Sequence, residues 1–324
     1  MKAKGKKGET KEFVYNKRVI YVGAAIIILI LAIVLFFMFY PTQPSEPKAA
    51  IIDQLSSSQL SNVSRWVNET FVENAKALLY QRFSKVDYYS DNATVEQYSK
   101  LASLNYKLII WRAHSALDPQ NYVAICSSEK YVPGKYEQYS SEQLKLCNIT
   151  GDPVLYFAIT PKFVEECMSG RFEDTIIVFM SCNGLNPNYI KTAETFVNNK
   201  GVKVFIGWNG WIEKPDNDNA ISLLLKYLIE DNRTISEAVE RIPQYGLSKL
   251  DYYPHTTDVA NYHIPNYKQS NVSSGMMFSS ATILRKIKGN TNFRFCLNQF
   301  GLSNVSFFLR LWRGVGCGGL HQLN

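Results

Sequence analysis

The sequence predicts an α/β domain on a mostly parallel sheet covered on both faces, preceded by one transmembrane helix. Three observations predict it. Residues 19–40 form an uncharged run of 22 residues, short β-branched and aromatic runs alternate with helical patterns from residue 49 onward, and two of those runs end in residues of catalytic type, His114 and Cys182. Strands alternating with helices of this length argue for parallel pairing, and a parallel strand buried on both faces reads as a continuous apolar run.

The N-terminal segment sets the expected topology. VIYVGAAIIILILAIVLFFMFY, residues 19–40, is long enough to cross a bilayer core, for which about 20 residues suffice. It runs into bulky Phe36, Phe37, Met38, Phe39 and Tyr40 with no small-residue cleavage site, and so reads as an uncleaved signal anchor. Residues 1–18 form a basic tail with seven cations against Glu9 and Glu12, and such a flank stays in the cytoplasm. The C-terminal domain of this single-pass protein is therefore expected outside the cell. The tail supplies five of the formal +7 charges, so the remainder of the chain is close to neutral and no nucleic-acid partner is implied. Seven N-x-S/T sequons, at Asn62, Asn68, Asn92, Asn148, Asn232, Asn271 and Asn304, agree with an extracellular glycoprotein.

Residues 41–48, PTQPSEPK, read as a short stiff spacer, and the folded domain is expected over 49–288. AAIIDQL (49–55) is a compact strand. In the helix expected over 68–82, Phe71, Ala75, Leu78 and Leu79 fall at helical spacing. A strand at 86–89, a helix opened by Thr94 and a strand at 106–113 complete a βαβαβ unit. Residues 118–152 break the rhythm, with a hairpin strand at 123–127, and read as an insertion beside the site. The alternation is expected to resume with a strand at 154–159, a helix from Pro161, strands at 175–181 and 202–208 around a helix at 192–199, then helices at 219–230 and 235–241, the last capped by Thr234 or Ser236. Residues 289–324 follow no clear period and form a tail of undetermined structure.

Six cysteines on an extracellular face ordinarily form disulfides. Cys126 and Cys147, which bracket a Tyr-rich excursion, are the favoured bridge, with Cys167 next; Cys296 and Cys317 fall in the tail. Cys182 is open to three readings: half of a bridge, an inert buried thiol, or a nucleophile. Cysteine hydrolysis needs a near-thiolate sulfur, a histidine to manage the proton, and donors for the oxyanion. His114 and Cys182 lie 68 positions apart, but two strand ends of one sheet would bring them together. The alternative for His114 is a strand-end residue satisfied by a backbone carbonyl. The sequence has no phosphate-binding glycine loop, no C-x-x-C and no histidine pair at zinc-ligand spacing, so neither cofactor nor metal is expected.

The stretches KLIIWRAHSA and TIIVFMSCNG, with the downstream block AETFVNNKGVKVFIGWNGWIEKPDNDNAISLLLKYLIEDNRTISEAV, resemble the caspase-like fold of clan CD cysteine peptidases, closest to CHAT, gingipain and clostripain-type domains. The resemblance covers about 49–241 and implies a caspase-like three-layer sandwich. It makes Cys182 the nucleophile and His114 the proton donor or acceptor. It also implies that the backbone N–H groups of Cys182 and Ser115 form the oxyanion hole, with Ser115 standing where the family commonly has Gly. By the same resemblance Trp208, Asn209 and Trp211 border the substrate-binding region. Asp216 and Asp218 become candidates for an acidic S1 pocket selecting Lys or Arg, although PDNDN also reads as a polar loop leading into a helix. The expected function is a membrane-anchored extracellular cysteine endopeptidase acting on peptide or protein substrates. The competing reading is a catalytically silent ectodomain of the same fold that binds or scaffolds other surface proteins.

Overall fold

The computed structural model describes residues 46–61 and 66–268, together with Tyr21, residues 26–32 and Leu35. The chain divides into two compact units, Met1–Lys268 and Gln269–Asn324. The first unit contains, in order, β1 (Lys48–Asp53), α1 (Glu69–Leu79), β2 (Val86–Tyr89), α2 (Val95–Lys100), β3 (Tyr106–Arg112), β4 (Ser115–Asp118), β5 (Tyr122–Lys130), β6 (Leu144–Asn148), β7 (Leu155–Ile159), α3 (Pro161–Glu166) and β8 (Ile176–Met180). Then come α4 (Lys191–Glu194), which runs on into a π turn over Thr195–Asn199, β9 (Val204–Trp208), α5 (Lys214–Ile229), α6 (Ile235–Glu240), β10 (Leu250–Tyr253) and α7 (Thr257–Ala260).

Six strands form the central sheet in the order β10-β9-β8-β3-β1-β2, parallel throughout except that β10 runs antiparallel to β9. Period-two alternation sends successive side chains to opposite faces. Ala49, Ile51, Leu108, Ile110, Val178 and Ile206 pack on one face against α1, α5 and α6. Ala50, Ile52, Ile109, Trp111, Phe179 and Phe205 pack on the other, against α2, α3 and the π turn that carries Phe196. Each large aliphatic or aromatic side chain so removed from water contributes about 1.5–3 kcal/mol before conformational entropy is charged against it. The result is the expected mixed α/β three-layer arrangement on a mostly parallel sheet. The helices start where the sequence offers oxygen caps: Asn68, Thr94, Thr160, Thr234 and Thr256 each accept a backbone N–H, and Thr234 with Glu237 forms a capping box.

Several expectations are corrected. Residues 154–159 do not rejoin the parallel sheet. They are β7 in a second sheet of four antiparallel strands, ordered β4-β5-β7-β6. Phe157 and Ile159 face the main core while Tyr156 and Ala158 face a third cluster, so β7 carries the apolar run of a doubly buried strand without belonging to the parallel sheet. The helix expected from residue 219 starts at Lys214, with Pro215 in its first turn and Asp216 there to complement the helix dipole. PDNDN is thus helix, not loop. The edge strand β10 and the short strands β4 and β6 are not expected from the sequence, because four or five partly buried residues leave too weak a period to read.

Cys126 and Cys147 form a disulfide that joins β5 to β6. Cys167 and Cys182 are free thiols, which removes the bridged reading of Cys182 among the described residues. Cys296, Cys317 and the rest of residues 269–324 lie outside the described residues. So does most of the expected membrane span: of 19–40, only Tyr21, 26–32 and Leu35 are described, all helical and exposed. Among the described residues no helix is long and apolar enough to cross a membrane.

Candidate active site

Strands β3 and β8 are parallel neighbours, and their last paired residues are Arg112 and Met180. His114 and Cys182 each follow two residues later, so they leave adjacent strands, roughly 4.8 Å apart, at the same height. Parallel sheets gather functional groups beyond the carboxyl ends of their strands, and this pair stands there.

Past β3 the chain is tied on both sides of His114. Its N–H donates to Oε1 of buried Gln54 at 3.0 Å, and Gln54 Nε2 donates to the Ser127 carbonyl at 3.3 Å. Its carbonyl accepts from Cys126 N–H at 3.0 Å. The imidazole meets the edge of the Trp66 ring, with centroids 5.4 Å apart and planes at 82°, and its Nε2 is buried without a hydrogen-bond partner. The Lys214 ammonium lies over the Trp66 ring. Burial pushes the imidazole down to about 3, with the Lys214 and Arg112 charges adding in the same direction and Asp152 opposing. His114 is therefore neutral at physiological pH.

Past β8 the chain turns sharply. Asn183, immediately after Cys182, adopts a left-handed φ of 58°, a conformation asparagine tolerates better than most residues. Gly184 is required next, because a Cβ there would stand 2.6 Å from the Phe179 ring. The turn is laced to the end of β9 by Asn183 N–H to the Gly210 carbonyl at 2.8 Å and Leu185 N–H to the Trp208 carbonyl at 2.9 Å. The Cys182 thiol donates to the Ile212 carbonyl at 3.7 Å and not to His114. Burial raises its pKa above the ordinary value, with the Ile212 contact and the Lys214 charge opposing. The resting pair is thus neutral thiol and neutral imidazole.

Compared with known proteins, the chain matches no family model and no curated sequence. The chemistry must be read from the geometry.

Ser115 opens β4 with ordinary extended backbone, so this position needs no glycine. Its Oγ donates to the Cys182 carbonyl at 2.9 Å. Of the residues expected to bind substrate, Asn209 and Trp211 flank the Cys182 turn. Asn209 exchanges two hydrogen bonds with Lys249, the residue before β10, at 2.9 and 3.1 Å, and Trp211, two residues on, is 72% exposed. Trp208 is placed differently: it is wholly buried in the core and donates Nε1–H to Asn217 Oδ1 at 2.9 Å. Asp216 is half-buried in the first turn of α5. Asp218 lies two residues on, about 200° round the helix, buried, and takes Arg112 Nε and Nη2 at 2.8 and 2.9 Å. It is committed to an ion pair and does not offer a free carboxylate to substrate.

Arg112 is not among the residues the sequence singles out, yet it organises the floor of the site. Almost fully buried, it also donates to Asp53 at 2.8 Å and to the Trp66 carbonyl at 2.7 Å, while Asn68 Nδ2 donates to Asp218 at 2.9 Å. A charge inside an apolar strand run is the signal that could have found it, since such a charge survives burial only with partners. Gln54, two residues after Ile52, carries the same kind of signal. Among the described residues no group of three or more His, Cys, Asp or Glu side chains is arranged to hold a metal.

Proposed function

We propose that the protein is a membrane-anchored extracellular cysteine endopeptidase of caspase-like fold, with residues 19–40 as the anchor and the domain from β1 onward outside the cell. The observation that carries this reading is the register: His114 and Cys182 follow the Arg112–Met180 pair at equal distance on adjacent parallel strands. In the reaction, Cys182 Sγ attacks the peptide carbonyl carbon as its proton passes to neutral His114. The N–H groups of Cys182 and Ser115 receive the oxyanion, and His114 gives the proton to the leaving amine as the C–N bond breaks. Water then hydrolyses the thioester, releasing the acid and restoring the thiol. In this scheme the Cys182–His114 contact that the resting state lacks forms when substrate displaces solvent and adjusts the loops, as hydrogen bonds of free enzymes commonly tighten in their complexes.

The raised thiol pKa and the unpartnered, covered His114 Nε2 favour a second reading, a silent domain that binds other surface proteins. The deciding experiment treats the full chain in detergent micelles with acyloxymethyl ketone peptides carrying Lys, Arg, Asp or Asn at P1. A stoichiometric adduct on Cys182 that is lost in His114→Ala supports the peptidase. A folded protein whose Cys182 takes no adduct supports the silent domain.

A further inference from the structure

Cys182 C=O and Asn183 N–H belong to one peptide unit, and both of its ends are held. The carbonyl accepts from Ser115 Oγ at 2.9 Å, across 67 positions of sequence. The N–H donates in the opposite direction to the Gly210 carbonyl at 2.8 Å. The plane of a peptide unit is rigid, so gripping its oxygen and its hydrogen sets the ψ of Cys182 and with it the direction of the Cα–Cβ bond that carries the sulfur, while the thiol's own contact with the Ile212 carbonyl at 3.7 Å holds the remaining rotation. We propose that Ser115 is a positioning residue: its hydroxyl fixes the peptide plane after Cys182 and so couples the nucleophile to the His114 loop. This rests on the dyad reading above.

The surroundings explain why one hydroxyl carries that weight. The His114 loop is anchored independently, by Gln54 on its N–H and by Cys126 on its carbonyl. The Cys182 turn is anchored independently to the end of β9 through Gly210 and Trp208. Each loop therefore has its own support, and Ser115 Oγ bridges directly from one to the other. Asn183 takes the left-handed conformation that asparagine tolerates, and the ties to Gly210 and Ser115 on either side of its peptide unit hold the turn in that state. A hydroxyl is suited to the task. It is neutral, is short enough to reach a carbonyl from an edge strand, and leaves the Ser115 N–H available to the oxyanion.

The test uses the full chain with Ser115→Ala, Ser115→Thr and His114→Ala, and reads the rate of Cys182 inactivation by the ketone that labels best, resolved into maximal rate and half-saturating concentration. A misplacement of about 1 Å costs up to roughly 100-fold in rate. Ser115→Ala is expected to lower the maximal rate about 10- to 100-fold with the half-saturating concentration little changed. Ser115→Thr, which keeps the hydroxyl, recovers most of the loss. A second readout is the pH dependence of the maximal inactivation rate, which follows proton transfer from Cys182 to His114 in the complex: Ser115→Ala should alter it and Ser115→Thr should restore the wild-type profile. If Ser115→Ala inactivates like wild type while His114→Ala does not react, the positioning role is overturned and the dyad stands. If His114→Ala reacts like wild type, the dyad itself falls, and the inference with it.

Discussion

Arg112 grips both carboxylate oxygens of Asp218, through Nε at 2.8 Å and Nη2 at 2.9 Å, in a fork that neither residue shares with solvent. Substituting one partner leaves a buried charge with incomplete compensation, and the loss in such cases is about 3–5 kcal/mol. Asp218→Asn is expected to cost that order of stability in a denaturant titration. Asp216→Asn, at the half-buried first turn of α5, should cost only the dipole interaction, about 0.3–1 kcal/mol. Any change in P1 preference of the labelling panel then belongs to Asp216.

The covered imidazole gives the fold a pH dependence. Folding drives His114 from 6.5 down to about 3, so between those values the unfolded chain holds a proton that the folded chain lacks. The stabilisation is fully present above pH 6.5 and is lost as the pH falls toward 3, with a slope of up to about 1.4 kcal/mol per pH unit. Below about pH 4, Asp91, which the Ser58 amide and hydroxyl hold under the usual carboxylate range, adds a loss of the same sign. His114→Gln should flatten the unfolding free energy between about pH 4.5 and 6.5. Equal slopes for wild type and variant would mean that the imidazole is solvated.

The Cys126–Cys147 bridge closes a loop with a sequence separation of 21. Loop-closure entropy at that length is worth about 3 kcal/mol. Replacing both cysteines by alanine should lower the unfolding free energy by that order, measured by denaturant in the absence of reductant. A loss well under about 1 kcal/mol would place the constraint outside the cooperative core.

Trp208 and Trp211 lie three residues apart and should behave oppositely. Trp208→Phe removes the donor to Asn217 inside the core, at a cost of about 1–3 kcal/mol. Trp211→Ala removes an exposed ring, so stability should hold within about 0.5 kcal/mol, while the concentration of ketone needed for half-maximal inactivation of Cys182 rises. Thermal unfolding and inactivation kinetics on the same two proteins separate the roles.

The sequons offer a test of sidedness. Asn92, Asn148 and Asn232 are exposed, whereas the Asn68 amide caps α1 through Oδ1 and donates through Nδ2, the atom a glycan would occupy, to Asp218. Mass spectrometry after enzymatic deglycosylation in heavy-oxygen water should find label at the three exposed sites and none at Asn68. Label at Asn68 would require the floor of the site to open, and no label anywhere would count against an extracellular domain.

The parallel core is legible in the sequence because β1, β3, β8 and β9 are apolar on both faces, and their residues alone demand burial on two sides. The dyad candidates are legible for the same reason, as polar residues at the ends of such runs. The second sheet is not: LYFAI in β7 has the composition of a central strand, and only its partners β5 and β6 assign it elsewhere. PDNDN reads as a loop because proline and aspartate favour turns, yet the same residues favour the first turn of a helix, and packing of Asn217 and Asp218 against Trp208 and Arg112 settles the choice.

By itself the sequence determined the α/β class, the strand and helix alternation of the parallel core, the caps at Thr94 and Thr234 and the placement of His114 and Cys182 at strand ends, because these depend on local periodicity and side-chain chemistry. Only the tertiary structure decided which strands are neighbours, that the two loops meet through Ser115 and the Cys182 carbonyl, and that Asp218 is spent on Arg112. Those facts depend on residues brought together from 67 and 106 positions away, and no local pattern encodes which distant group will satisfy a buried charge or a backbone carbonyl.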